Sequence, residues 1–223
     1  MWATVIFYDD PPELLEASLG AIKDNGFKII CADGAFREWL NVEGYPLNKS
    51  YSKNGCADVA KKYADIYICA AKFGWLNEME KRNACIERVP PSEYFWINDA
   101  DEVLPKFTLP SLTENVYRVV ERLHRVNGNI AHQPRNRVFK MYLDLQFQYQ
   151  HCRLYRMGEH YPGRIDTGLV ARSSWANNKD IPIIKDDRGI EICFDHYTNK
   201  RPKEWSEIKN KYCQIRSENK YPF

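Results

Sequence analysis

The chain has 223 residues, 44% hydrophobic and 13% aromatic, a composition that buries a sizeable core in one domain and excludes a disordered chain. Its 32 Lys and Arg nearly balance 30 Asp and Glu, and the formal net charge of +2 gives no reason to expect nucleic acid or an anionic membrane as partner. No apolar run approaches the roughly 20 residues that span a bilayer, so a transmembrane segment is not expected.

The N-terminus, MWATVIFYDDPPELL, lacks a basic start and meets acids too early to read as a signal peptide. Its TVIFY segment (4–8) opens a series of short β-branched or aromatic runs, continued by KIICA (28–32), DIYICA (65–70) and YFWIN (94–98). Each is apolar at consecutive positions, as strands covered on both faces are. Helical spacing lies between them. Leu14, Leu15, Ser18, Leu19 and Ile22 form one stripe after Pro11 and Pro12, with Gly26 as the stop. Val59, Ala60 and Tyr63 form a second, entered through Ser52, Asn54 and Gly55. LNEMEKRNACIERV is a third, with Asn77 as N-cap and Glu78 and Glu80 in its first turn. Alternating units of this kind predict an α/β fold, a parallel sheet wrapped by helices, with ligands beyond the carboxyl ends of the strands. On that topology YDD (8–10), ADG (32–34) and NDADE (98–102) converge on one crevice.

The second half has a different texture. Leu112, Val116, Val119, Val120 and Leu123 share one face of a helical pattern after Pro110. Residues 129–157 alternate apolar and polar positions and read as antiparallel or mixed β. EICFDHY reads as a strand, and Trp205, Ile208, Tyr212 and Ile215 mark a final helix. No Gly/Ser linker separates the parts, so a single domain 1–223 is expected, with functional halves 1–104 and 105–223. The seven cysteines are odd in number and include no C-x-x-C pair, which predicts reduced thiols in a cytoplasmic protein and no structural zinc.

The chemistry concentrates in NDADE. Asp99 and Asp101, followed by Glu102, leave a buried strand at the sheet end where a ligand is expected. In such a loop two carboxylates can serve a hard cation, Mg²⁺ or Mn²⁺, that keeps positions open for a diphosphate. A D-x-D taken alone is an acidic turn; the apolar YFWI in front of it is what an exposed turn would not need.

EYFWINDADEVL resembles the D-x-D segment of glycosyltransferases with the GT-A fold, family 2 members in particular, whose apolar strand ends in Asp-Ala-Asp-Asp or Asp-Ala-Asp-Glu. EMEKRNACI is similar to the Arg-Asn helix before that strand, and YSKNGCADVAKKYAD to a block in which Asn54 replaces the usual Asp. CRLYRMGEHYPGRIDTGL is similar to a later R-L-F-R block, and FDHYTNKRPKEW to a terminal H-Y segment followed by basic residues. The resemblance implies a GT-A fold with a mixed, mostly parallel central sheet flanked by helices. It also implies metal-dependent transfer of a sugar from a nucleotide-diphosphate donor, UDP-sugar by default, with inversion, to the hydroxyl of a glycan, lipid-linked, protein or small-molecule acceptor.

Residue by residue, the resemblance implies that Asp99 contacts the ribose and that Asp99, Asp101 and His196 serve Mn²⁺ or Mg²⁺, imidazole being a sensible ligand for Mn²⁺. Tyr8, Asp33 and Arg82 fall at nucleotide-contacting positions, and Lys200 and Arg201 at positions that neutralise the leaving diphosphate. Without the resemblance, Tyr8 reads as core, Asp33-Gly34 as a turn, and Lys81 with Arg82 as a solvated helix face paired with Glu78 and Glu80. The catalytic base falls on Asp166, with Glu159 and Asp195 as substitutes, although the family's His-Glu pair is replaced here by Asp166-Thr167. Two rivals remain. A noncatalytic protein that keeps the scaffold is favoured by the altered IDT stretch, whereas a sugar-nucleotidyltransferase calls for a Gly-rich basic loop where YDDPPELL stands.

Overall fold

Short β-branched runs alternate with amphipathic stripes, and the chain folds accordingly. The structure is a computed structural model that describes residues 1–37, 51–70, 74–148, 153–156 and 181–200, together with 207 and 211. In chain order β1 (Trp2–Phe7), α1 (Pro12–Asp24), β2 (Lys28–Asp33), α2 (Cys56–Tyr63), β3 (Ile66–Cys69), α3 (Glu78–Ile86) and β4 (Tyr94–Asp99) form the first half. Pro12 occupies the first turn of α1, where its missing N–H costs nothing, and Gly26 takes a φ of 76° just past the end. Asn77 Oδ1 accepts the Glu80 N–H at 2.9 Å and caps α3.

β1 pairs in parallel with β2 and β4, and β2 with β3. The register sets Phe7 beside Asp33, Ile6 beside Asp99 and Asp33 beside Cys69, so these strands end along one carboxyl edge. The second half adds β5 (Glu102–Val103), β6 (Val116–His124), β7 (Ile130–Lys140), β8 (Leu145–Gln148), β9 (Arg153–Arg156) and β10 (Cys193–His196). β8 and β9 form a separate two-stranded ribbon; the other strands make one curled, mixed eight-stranded sheet in the order β3-β2-β1-β4-β7-β6-β10-β5. β7 runs antiparallel to both β4 and β6, and β6 runs parallel to β10. Two reversals therefore bring the carboxyl ends of β6 and β10 to the same edge as those of β1, β2 and β4.

The helix expected after Pro110 is corrected: residues 116–124 are strand β6. Its start is buried on both faces, with Val116 in one core and Tyr117 and Val119 in the other, while later only one face is covered. The apolar residues thus follow no strict period of two, and their chance spacing imitates a helix. Pairing with β7 and β10, supported by the β-branched Val116, Val119 and Val120, decides the outcome. The partner strand carries a bulge: Tyr117 faces Val138, but Arg118 faces Asn136, leaving Arg137 as the extra residue.

One core lies between the sheet and α1 with α2, the other beneath α3 and β8. Trp96, wholly buried, is ringed by Phe27, Phe107 and Phe194 at centroid distances of 6.3, 6.1 and 6.3 Å. On the opposite face Phe95 stacks on Phe139 at 5.7 Å. The YFWI run before the acids is thus fixed from both sides. Among the described residues no helix is long and apolar enough to cross a membrane. The final helix expected around Trp205 to Ile215 falls, for all but Glu207 and Lys211, outside the described residues. Replacing Trp96 with Ala is expected to cost about 3–5 kcal/mol of unfolding free energy, measured by urea titration.

Candidate functional site

The turn after β4 is built by hydrogen bonds that aim its carboxylates. Asn98, buried, donates from Nδ2 to Ser18 Oγ and to the Glu102 carbonyl, each at 3.0 Å, and the Asp99 N–H donates to Glu102 Oε2 at 2.9 Å. β5 then pairs antiparallel with β10, setting Glu102 opposite His196, and the Tyr197 N–H donates to the Asp101 carbonyl at 2.8 Å. As a result His196 Nε2 stands 3.2 Å from Asp101 Oδ2. Asp99 points to the α3 side, where Arg82 holds its Oδ1 at 2.6 Å.

Two further glutamates complete the cluster. Glu102 is fully buried and paired with Arg137, the bulge residue, whose guanidinium also lies 5.0 Å over the Phe194 ring. Burial, against the pull of Arg137, lifts the Glu102 carboxyl to about 7. Glu121, on β6, is 1% exposed; its Oε2 receives Arg135 Nε at 2.8 Å and Gln133 Nε2, and its Oε1 lies 2.5 Å from His196 Nδ1. Burial would raise its carboxyl, but the hydrogen bonds from His196, Arg135 and Gln133 outweigh burial and bring it down to about 2. Burial likewise presses the His196 imidazolium down, yet the carboxylates of Asp101 and Glu121 on its two nitrogens carry it up to about 10.

Donor atoms of Glu102, Glu121 and His196 lie within 4.8 Å of one another, with Asp101 on the other side of the imidazole. Carboxylate oxygens with one imidazole suit Mn²⁺ or Mg²⁺. The Asp101 carboxylate and the His196 imidazole, a mixed oxygen and nitrogen donor pair, therefore fit the expected cation.

At the ends of β1 and β2 the expected residues meet a buried lysine. Lys81 Nζ donates to the Phe7 carbonyl at 2.5 Å and the Gly34 carbonyl at 2.7 Å, clamping the two strand ends together. Burial brings its ammonium down to about 8, with Asp33 and Asp10 opposing. Lys81 and Arg82 are 1% and 6% exposed, so the solvated-face reading of this helix is corrected. Arg82 still pairs with Glu78 at 2.9 Å while reaching Asp99. Asp33 is fully buried: Oδ1 receives the Ser52 hydroxyl at 2.7 Å, and Oδ2 the Ser52 N–H at 2.8 Å and the Tyr67 hydroxyl at 2.9 Å. Tyr8 is 6% exposed, and Asp9 beside it takes a left-handed φ of 47° while its N–H donates to Ser52 Oγ at 2.8 Å.

Asp195 has both oxygens engaged, by Arg122 at 2.7 Å and by His124 at 2.8 Å. Lys200 is exposed at the following turn, its Nζ 4.0 Å over the Tyr197 ring, which stacks on His124 at 4.6 Å. Asp166, Glu159 and Arg201 lie outside the described residues. The structure thus gathers Asp101 with His196 and Asp99 with Arg82 at one edge, and adds Glu121, Arg135, Arg137 and Lys81, which sequence reasoning missed. Glu121 had one available signal, a lone acid among the apolar residues of RVVERL.

Since the folded state raises the pKa of His196, the histidine's contribution to stability is fully present below the free imidazole value of about 6.5 and is lost as pH rises through about 10. Without metal, the thermal midpoint of His196→Gln should fall furthest below that of the unaltered chain in the acid part of this range. The gap should close toward its upper limit, as read by melts across pH.

No family model matches the chain, and no curated protein matches it. Among solved structures, the fold is distantly similar to that of S. aureus TarS 1-349, at 8% sequence identity and a TM-score of 0.35. The match covers 63% of this chain and 47% of that one, so this chain spans about half the length of that structure. A likeness so distant assigns no residue.

Proposed function

We propose that the chain is a metal-dependent glycosyltransferase that moves a sugar from a nucleotide-diphosphate donor to an acceptor hydroxyl. The observation that carries this reading is the meeting of Asp101 and His196, remote in sequence, at 3.2 Å on the carboxyl edge beside Asp99. That edge is where α/β sheets bind ligands. Asp101 and His196 would hold Mn²⁺ or Mg²⁺, with Asp99 beside them, and the cation would supply charge neutralisation for the departing diphosphate.

The protein's own residues supply position and polarity. Arg82 fixes Asp99 toward the α3 side, where the ribose would lie, and Lys81 holds the β1 and β2 ends that would line the nucleoside pocket. Asp33, its carboxylate engaged by Ser52 and Tyr67, would shape that pocket through the loop it ties down, and the buried Tyr8 would pack at its wall. Lys200 and Arg201, just past β10, would face the diphosphate. The acceptor oxygen attacks the anomeric carbon as the bond to the diphosphate breaks, and its proton passes to a carboxylate, for which Asp166 is the candidate. UDP is the default nucleotide, inversion the default outcome, and a glycan, lipid-linked sugar, protein or small molecule the acceptor.

Calorimetric titration of UDP and GDP, with and without Mn²⁺, tests the donor site. One nucleotide should bind only with metal present, and Asp101→Ala should abolish that binding. Binding indifferent to metal and to Asp101, or no binding of either nucleotide, would reduce the cluster to a structural knot.

A further inference from the structure

We infer that Glu121 is a positioning residue for His196: by occupying Nδ1 it turns Nε2 toward Asp101, so that a divalent cation meets a nitrogen already in place. This rests on the metal-dependent reading above. Glu121 lies two residues before Leu123, the register partner of His196, so both side chains share one face of neighbouring parallel strands. Its Oε2 is fixed by Arg135 and by Gln133, its own partner across β7, which leaves Oε1 directed at the imidazole.

The distances separate an orienting role from a ligand role. Two ligands at right angles on one octahedral cation, each about 2.1 Å from it, sit roughly 3 Å apart. Glu121 Oε1 and His196 Nδ1 are 2.5 Å apart, too close for two ligands of one cation, whereas His196 Nε2 and Asp101 Oδ2 are 3.2 Å apart, a spacing that adjacent ligands of a shared cation can keep. Glu102 Oε1, 3.9 Å from Nδ1, is held by Arg137. The Nδ1 side is therefore a hydrogen-bonded support and the Nε2 side is the face offered to metal. A carboxylate on the distal nitrogen fixes the tautomer and ring orientation of a ligating histidine.

The test is Mn²⁺ binding to the nucleotide-free chain, followed by the spin-resonance signal of free Mn²⁺. Glu121→Ala should weaken binding about 10- to 100-fold. Glu121→Gln, whose amide oxygen still accepts the Nδ1 proton, should recover most of the affinity. In Mg²⁺-loaded protein, ¹⁵N spectra of the His196 ring should show the proton on Nδ1, a signature lost in Glu121→Ala. Native affinity in Glu121→Ala would overturn the inference alone, as would a Glu121→Gln variant as weak as Glu121→Ala, since Glu121 would then act as a ligand. Failure of the unaltered chain to bind Mn²⁺, or binding that survives Asp101→Ala, would overturn the metal reading and this inference with it.

Discussion

Four carboxylates cluster around the turn after β4 at the carboxyl edge of the sheet, and each has a cation beside it: Asp99 has Arg82, Asp101 has His196, Glu102 has Arg137 and Glu121 has Arg135. Like charges this close and this buried cannot coexist unpaired, because the cost of taking an ion out of water exceeds what a protein of this size can spare. The four cations come from α3, from the β7 bulge and its neighbourhood, and from the end of β10. The pairing therefore dictates which parts of the chain must meet. It also dictates that both halves of the sequence contribute to one sheet.

The bulge shows how backbone and charge cooperate. In a regular ladder neighbouring residues of β7 would face opposite sides, but the extra residue lets Arg137 reach Glu102 and Phe194 on the side where Val138 is also buried. Glu102 in turn receives the Asp99 N–H and so shapes the turn that aims Asp99 and Asp101. Arg137 thus governs the geometry of the acids without lying among them in sequence. At the other end of the edge, Lys81 plays the equivalent part for β1 and β2, tying the Phe7 and Gly34 carbonyls together.

Much of this was legible in the sequence where burial and periodicity agree. β1 to β4 and the three described helices of the first half show as apolar runs and stripes, and Asn77 and Gly26 mark real ends. The carboxyl-edge rule was enough to bring Asp99 and Asp101 to the strand ends, whereas His196 came only from the resemblance. β6 was illegible because it passes from a doubly covered to a singly covered position and carries a buried acid, so neither period survives. Lys81, Glu121 and Arg137 were hidden for a related reason: charge in a sequence reads as surface, and only the partner across the fold reveals that it is buried.

The central claim is that His196 and Asp101 form the metal-facing floor of the site. Paramagnetic broadening by Mn²⁺ of the histidine ring resonances tests it most directly. The account predicts that substoichiometric Mn²⁺ erases the His196 signals first while those of His132, exposed on β7, persist. His196 signals that stay sharp while Mn²⁺ binds would contradict it, and would move any cation to another part of the molecule.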